Sequence, residues 1–351
     1  MAPSNQRGLV ETPDGNTAAN PESDPLIGTV LHGRYQLDEC IASGSMGRIY
    51  RAQHLALEKT VAIKILREEL TQNETVVARF HREARAAARL EHPNSISVED
   101  FGAADDGRLY LAMEWIGGRD LRSALAEDGP FAPERAFSMA RQVCRALEAA
   151  HAKKVIHRDL KPANIMLTPT DDGEHVTVLD FGIAKIESDG ADQFQTMAGV
   201  VCGTPDYLSP EQAAGARADG RSDLYSLGVV LFELLTGRKL FTGSNAMQVA
   251  MCHVRDVAPR VDHLNPALDS DIGDLIERML SKAPEDRPQT GKETLACLAA
   301  LQKSVDSSPG PEAPPPAPEA PPSRPAQNRP SRWMWVALAM GMLAVVGWLI
   351  A

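Results

Sequence analysis

The chain has 351 residues, of which 43% are hydrophobic and 24% are charged, proportions that are ordinary for a globular protein. Its formal net charge of −11 excludes a broadly basic surface, so we expect no nucleic-acid partner. The five cysteines are scattered without CxxC spacing, which excludes a disulfide framework or a zinc site and is typical of a reducing compartment.

Residues 1–34 are expected to form a disordered lead-in. Up to about Thr29 they are rich in Pro, Asn, Thr, Asp and Glu, with few large apolar side chains. Such a segment cannot bury enough surface to offset its chain entropy. It also lacks a basic stretch followed by an apolar one, so we expect no secretory signal.

A strand pair with a glycine-containing turn is predicted next. The segment 35–41 alternates like a strand, and a second strand is predicted at 48–52. Gly44 and Gly47 lie in the turn between them, and a glycine has no Cβ to keep its backbone away from phosphate groups. By itself this pattern fits a plain structural hairpin equally well.

The predicted strand 60–66 holds one lysine, Lys64, among apolar residues. A buried ammonium group is costly unless it is paired, so the sequence predicts that Lys64 meets an anionic ligand and a carboxylate. The helix predicted at 79–90 carries Glu83 as the candidate carboxylate. The alternative is that Glu83 belongs to a solvated surface of Arg and Glu side chains on that helix.

The remaining elements change from strands to helices along the chain. Strands are predicted at 96–98 and 109–116, and helices at 121–126, 133–153 and 220–235. Gly117 and Gly118 follow the second of these strands and are predicted to form a hinge. His151, near the end of a helix with one apolar face, is interpreted as structural rather than catalytic.

Two polar motifs carry the candidate chemistry. The first, 157–164, contains Asp159, which can accept the proton of an incoming hydroxyl group, and Asn164, which offers an oxygen ligand. The second, 180–182, begins with Asp180, which offers another oxygen. Mg²⁺ prefers hard oxygen ligands, so the sequence predicts a base beside a magnesium site.

A strand pair is predicted between these two motifs. Apolar runs at 165–167 and 175–179 flank a turn predicted at 169–173. A short hairpin of this kind would bring the base and both metal ligands to one edge.

Taken together, these motifs resemble those of the protein kinase family. HRDLKPAN at 157–164 is followed by DFG at 180–182, VAIK ends at Lys64, and GTPDYLSPE ends at Glu211. The glycine turn departs from the family's GxGxxG pattern, because Ala42 stands at the first glycine. This departure leaves the shape of the phosphate-binding turn open.

The resemblance covers about 35–301 and implies an α+β, two-lobed protein kinase fold. A β-rich N-lobe is expected at 35–116 and a helical C-lobe at 117–301. ATP and Mg²⁺ are the implied cofactors, held between the lobes, and proteins are the implied substrates. Lys161 and Thr204 match the serine/threonine class rather than the tyrosine class, and SPEQ is similar to the bacterial branch.

By resemblance, individual positions take catalytic roles. Lys64 would contact the α- and β-phosphates and pair with Glu83, and Lys161 would offset charge on the transferring phosphoryl group. Thr204 would hold Asp159 and Lys161 in register. The implied catalytic residues are Lys64, Asp159, Lys161 and Thr204, and the implied metal ligands are Asn164 and Asp180.

The resemblance also implies an ATP-binding cleft. Backbone groups of Glu114 and Ile116 would hydrogen-bond adenine, with Met113 beside it as the gatekeeper. The implied ATP-binding residues are Ile41, Ala42, Ser43, Gly44, Ser45, Met46, Gly47, Arg48, Ile49, Ala62, Lys64, Glu83, Met113, Glu114, Ile116 and Met166.

Three further interactions follow from the resemblance. Asp223 would bind the backbone of the catalytic loop, and Arg287 would pair with Glu211. Arg158 would bind phosphate on Thr196 after autophosphorylation of the activation loop, with Ser188 as the alternative site.

Two alternative functions share some of these motifs. A pseudokinase scaffold would be expected to lack Lys64, Asp159 or Asp180, and all three are present. A small-molecule phosphotransferase would share the catalytic loop but would lack the GTxxYxxPE segment that docks a polypeptide. The protein kinase interpretation is therefore preferred.

The C-terminal part of the chain predicts a membrane anchor. Residues 302–332 are proline-rich and predict an extended juxtamembrane linker, with an SH3-like ligand as the alternative. Residues 333–351 are uncharged and apolar, and as a helix they would be ~28 Å long, close to a ~30 Å hydrocarbon core. The alternative to a transmembrane helix at 333–351 is a helix docked on the kinase domain.

The expected topology is single-pass with a C-terminal anchor. Arg324, Arg329 and Arg332 lie before the span only, which places this side and the kinase domain in the cytoplasm. Because no residue follows the span, we expect no sensor domain beyond the membrane. A homodimer is expected either through the kinase domain or through the transmembrane helix, where Ala337 and Gly341 permit close approach.

Overall fold

The computed structural model describes residues 24–44, 46–181 and 205–307, and within them the fold has two lobes. The first lobe is built on an antiparallel sheet in the order β1-β2-β3-β4-β6-β5. Its strands are β1 (Val30–Leu31), β2 (Tyr35–Ser43), β3 (Gly47–His54), β4 (Lys59–Leu66), β5 (Val98–Ala103) and β6 (Leu109–Glu114).

Two helices accompany this sheet, the short α1 (Glu68–Thr71) and the longer α2 (Glu74–Ala87). The α2 helix begins before the predicted start at 79, because the side chain of Asn73 caps it by accepting the backbone N–H groups of Thr75 and Val76. Its apolar side chains pack against one face of the sheet. That packing fixes the helix that carries Glu83.

The second lobe contains a small antiparallel sheet and most of the helices. Its elements are β7 (Arg119–Asp120), α3 (Leu121–Asp128), α4 (Pro133–Ala152), β8 (Ile165–Thr170), β9 (Gly173–Val178), α5 (Pro210–Ala213), α6 (Gly220–Thr236), α7 (Ala246–Arg255), α8 (Val261–Leu264), α9 (Ser270–Met279) and α10 (Gly291–Ser307). Every residue of α6 from Ser222 to Leu235 is buried. Since α6 is apolar on all sides, it forms the centre around which the other helices pack.

The predicted hinge is held closely against the second lobe. Gly118 has a φ of +125°, and a Cβ at this position would lie 2.1 Å from the backbone oxygen of Leu167. The carbonyl oxygen of Gly117 accepts the hydroxyl proton of Thr168 at 2.7 Å. Glycine at 118 is therefore required both by conformation and by the close approach of β8.

The ends of the fold differ from the expected boundaries. The described structure includes 24–34, and β1 lies inside the segment 1–34 that was expected to be disordered. At the other end α10 continues to Ser307, past the expected start of the linker at 302. No helix within the described residues is long and apolar enough to span a membrane. The predicted span, 333–351, and most of the linker lie outside those residues.

Candidate active site

The loop between α4 and β8 brings the side chains of Lys161 and Asn164 to Asp159. Oδ2 of Asp159 lies 2.9 Å from Nζ of Lys161. The side-chain Nδ2 of Asn164 donates to the backbone oxygen of Asp159 at 2.8 Å and to Oδ2 at 3.2 Å. With the amide nitrogen used in this way, the amide oxygen of Asn164 is directed away from Asp159.

The predicted strand pair brings the second motif to this loop. β8 and β9 pair from Ile165 opposite Val178 to Thr170 opposite Gly173, so the turn has only two residues and is shorter than the predicted 169–173. The backbone N–H of Leu179 donates to the backbone oxygen of Asn164 at 2.9 Å. Asp180 therefore follows β9 at the same edge as Asn164, as the hairpin predicted.

The loop backbone is fixed from below by one carboxylate. Asp223, 1% exposed in α6, accepts the backbone N–H of His157 at 2.9 Å and that of Arg158 at 2.8 Å. His151 contacts the same carboxylate through Nε2 at 2.8 Å. The predicted role of Asp223 and the structural interpretation of His151 are both confirmed. Arg158 has a φ of 66°, a strained conformation that the hydrogen bonds to Asp223 hold in place.

His157 joins the two motifs directly. Its buried ring approaches the backbone oxygen of Leu179 through Nε2 at 2.7 Å, and its Nδ1 accepts the N–H of Asp159 at 3.3 Å. These partners assign the proton to Nε2. The ring also packs against Phe181, with 5.0 Å between ring centroids. The sequence analysis gave His157 no role, although its place at the head of the motif was a signal.

Lys64 meets a carboxylate, but not the expected one. Its Nζ lies 2.9 Å from Oδ2 of Asp180. Both Lys64 and Glu83 lie in the described part of the chain, and no ion pair joins them; Oε1 of Glu83 lies 3.9 Å from the guanidinium of Arg82. The predicted Lys64–Glu83 pair is therefore absent from this structure, in which Lys64 pairs with Asp180 instead.

The carboxyl group of Asp180 is strongly conditioned by its surroundings. Burial alone would raise its pKa, but the charge and hydrogen bond of Lys64 outweigh burial and hold the pKa below its usual value. Its backbone has a φ of 54°, in the left-handed region that is strained for a residue other than glycine. Ionised Asp180 is thus available as an oxygen ligand.

The glycine turn packs closely against β4. A Cβ on Gly47 would lie 2.0 Å from the backbone oxygen of Ile65, so this glycine is required by packing against β4. Gly44 donates its N–H to the oxygen of Gly47 at 2.8 Å, and a Cβ there would meet nothing closer than 3.9 Å. Ala42 pairs with Ile49 beside a register shift in β2, an exposed position that accepts a side chain.

The expected adenine-binding residues lie at the end of β6. Met113 pairs with Ala62 in the sheet and is 3% exposed. A small cavity of about 10 Å³ lies behind it, lined in part by Met113, Asp180 and Phe181. Oε1 of Glu114 accepts the backbone N–H of Ser97 at 2.7 Å. The backbone N–H of Glu114 donates to the backbone oxygen of Ser97 at 3.0 Å.

The end of the activation segment contacts Arg287 and the loop that contains Asp159. Arg287 forms a two-bond ion pair with Glu211, at 2.9 and 2.8 Å, which confirms that predicted pairing. Gln212, missed in the sequence analysis, donates from Nε2 to the backbone oxygen of Arg158 at 2.8 Å. The SPEQ motif contained the signal, because Ser209 caps α5 and so directs Gln212 to the catalytic loop.

Three of the expected site residues lie outside the described residues. They are Ser45 in the glycine turn, Thr196 in the activation segment and Thr204 in the GTP motif. In the parts that are described, no group of three or more His, Cys, Asp or Glu side chains could hold a metal ion. The predicted pair of Asn164 and Asp180 still suits Mg²⁺, which keeps several waters and needs only one or two carboxylates beside phosphate oxygens.

Comparison with known proteins gives a consistent result. Residues 35–298 match the family model of the protein kinase domain. The chain is 45% identical over 301 residues to serine/threonine-protein kinase pkn3 of Myxococcus xanthus and 41% identical over 289 residues to PknB of Mycobacterium tuberculosis. These matches cover 82% and 81% of this chain but 54% and 45% of the relatives, so the chain spans about half the length of those curated relatives.

The fold has solved counterparts as well. The crystal structure of the Mycobacterium tuberculosis PknI kinase domain superimposes with a TM-score of 0.62 and 28% sequence identity. The superposition covers 78% of this chain and 97% of the PknI chain. The two-lobed arrangement expected from the motifs is therefore shared with a known structure.

Proposed function

The chain belongs to the protein kinase family, and we propose that it transfers the γ-phosphoryl group of ATP to serine or threonine hydroxyls of proteins. The observation that carries the proposal is the cluster in which Asp159 contacts Lys161 and Asn164 while Asp180 lies beside them. Relatives named as serine/threonine-protein kinases support the substrate class.

The residues divide the work of the reaction by position and charge. Asp159 orients the substrate hydroxyl and takes its proton, and Lys161 offsets the negative charge that develops on the transferring group. Asn164 and Asp180 would hold Mg²⁺ through their side-chain oxygens. When bound, Mg²⁺ would neutralise negative charge on the phosphates of ATP.

Lys64 is the residue that must change partner. In the structure it neutralises Asp180, whereas its proposed role is to contact the α- and β-phosphates. The ammonium group of Lys64 would bind phosphate oxygens of ATP in place of Asp180. The carboxylate of Asp180 would then be available as a ligand for Mg²⁺. The proposed pairing of Lys64 with Glu83 would accompany that exchange.

Regulation and location form the second half of the proposal. Autophosphorylation of Thr196 would place about two negative charges opposite Arg158 and order the activation segment. Residues 333–351 would anchor the protein in the membrane as a single span, with the kinase domain in the cytoplasm. Confinement in the membrane would favour a homodimer through the kinase domain or the span, and so phosphorylation between copies.

Radiolabelled ATP provides the test of the activity. The purified chain is incubated with casein or myelin basic protein, and in parallel with small alcohols, and incorporated phosphate is counted. We expect label in protein only, and an Asp159→Asn variant should lose about 10²–10⁴-fold in rate while melting at the wild-type temperature. Transfer to small alcohols alone would favour a small-molecule phosphotransferase, and an unchanged rate in Asp159→Asn would refute the assignment.

A further inference from the structure

The N-terminal strap, which we define as residues 24–31, precedes the part of the chain that matches the protein kinase model. β1 within it pairs with β2, and Gly28 donates its N–H to the oxygen of Leu37 at 2.7 Å. Leu26 and Ile27 pack against the buried cluster on the outer face of the first-lobe sheet. These contacts make the strap a part of the first lobe.

The strap begins with a buried carboxylate. The side chain of Asp24 is 4% exposed. Its Oδ2 accepts the hydroxyl proton of Tyr50 at 2.9 Å and lies 2.9 Å from the guanidinium of Arg48, and its Oδ1 accepts the N–H of Leu26 at 3.1 Å. Burial, and then the bond to Asp24, raise the pKa of Tyr50, so its hydroxyl stays protonated and donates.

Arg48 connects this carboxylate to the phosphate loop, the turn at 42–47. It follows Gly47 directly and pairs across the hairpin with Ser43. On the far side of the turn, the guanidinium of Arg67 donates to the oxygen of Gly44 at 3.0 Å. The described part of the loop is thus held from two directions, by the strap and by Arg67.

We propose that Asp24 is a positioning residue for the phosphate loop, acting through Arg48. This inference rests on the proposed kinase function, because it concerns the same ATP site. Without the carboxylate, the guanidinium of Arg48 turns to solvent and the Tyr50 hydroxyl loses its acceptor. The loop then gains freedom that ATP binding must remove, which weakens ATP binding and leaves the groups that act on the γ-phosphoryl group in place.

The test compares two substitutions in the full chain, each of which changes the carboxylate partner of an arginine in β3. Asp24→Asn removes the charge that holds Arg48, and Glu39→Gln breaks an exposed pair in which Oε2 lies 3.7 Å from the guanidinium of Arg51. We expect Asp24→Asn to raise the KM for ATP about tenfold, equivalent to the ~1.4 kcal/mol of one charge-assisted hydrogen bond, and to leave kcat within about twofold. Glu39→Gln should match wild type in both.

Two further readouts separate positioning from general weakening of the fold. Amide hydrogen exchange at Gly44 should become faster in Asp24→Asn without nucleotide, and it should be unchanged in Glu39→Gln. The double variant Asp24→Asn/Arg48→Gln should bind ATP no more weakly than the worse single variant, because both break one contact.

The outcomes distinguish this inference from the proposed function. A wild-type KM for ATP together with wild-type exchange at Gly44 in Asp24→Asn would overturn the inference. Equal effects of Asp24→Asn and Glu39→Gln would overturn it as well. Failure of the wild-type chain to phosphorylate any protein would instead overturn the proposed function.

Discussion

Replacing Glu211 by Gln tests the ion pair that joins the end of the activation segment to the second lobe. The side chain of Arg287 is 0% exposed and that of Glu211 is 13% exposed. Arg287 also donates to the backbone oxygens of Ser281 and Lys282 at 2.8 Å, so the guanidinium cannot move to solvent. The substitution keeps the shape of the side chain and leaves a buried cation uncompensated, at a cost of about 3–5 kcal/mol.

The expected shift in melting temperature follows from this cost. At ~2 °C per kcal/mol for a domain of roughly 250 residues, Glu211→Gln should melt about 6–10 °C below wild type at neutral pH. Burial acts to raise the pKa of Glu211, but the hydrogen bonds from Arg287 and Ser222 hold it below its ordinary value. A lowered folded-state pKa stabilises the fold above the unfolded-state pKa of ~4.3. That stabilisation is lost as pH falls through the folded-state value, so the difference should shrink in acid.

Thermal melts followed by circular dichroism measure this effect, and Glu277→Gln is the matched control. Glu277 is 58% exposed in its pair with Arg260, and a surface pair of this kind is worth about 0–1 kcal/mol. The control should therefore melt within ~2 °C of wild type. If Glu211→Gln melted no lower than Glu277→Gln, the buried pair would not stabilise the lobe.

Three other predictions concern the phosphate loop, the activation segment and the C-terminus. Gly47→Ala should cost about 1–3 kcal/mol in an unfolding titration because its Cβ meets backbone, whereas Gly44→Ala should cost less than ~1 kcal/mol; the reverse order would contradict the packing. Thr196→Ala should slow phosphorylation of added protein, and mass spectrometry should find phosphate on Thr196 in active wild type; full activity without that phosphate would disprove the regulatory proposal. The full-length chain should sediment with membranes and resist carbonate, and a chain truncated after Ser304 should be soluble and active; a soluble full-length chain would exclude the anchor.

The sequence predicted the parts of the site that depend on short-range order. Asn164 and Asp180 flank a hairpin whose strands were predicted from two short apolar runs on either side of a turn, so their proximity followed from the local pattern. The Asp223 and Glu211–Arg287 contacts connect distant segments, and these were predicted only because the motifs that contain them resemble those of a known family. Residue patterns alone would not have paired them.

Other features could not be predicted because they depend on tertiary packing. The strap has four large aliphatic residues among its eight, but the polar composition of 1–34 as a whole hid them. Its pairing with β2 and the contacts of the Asp24 carboxylate depend on the folded lobe. The sequence could show that Lys64 needed a carboxylate partner, but it could not decide between Glu83 and Asp180, because both are far from Lys64 in the chain. The requirement for Gly47 is set by the backbone of β4, which no local pattern reveals.

The first turn of α6 holds two separate pieces of the active site in place. Asp223 fixes the backbone of the catalytic loop, Ser222 donates to Glu211 at 2.5 Å, and the oxygen of Arg221 accepts from Arg287 at 3.2 Å. During synthesis, Asp159 leaves the ribosome well before any of these partners. A nascent chain therefore carries Asp159 before it has the side chains of α6 that hold this loop in its folded shape.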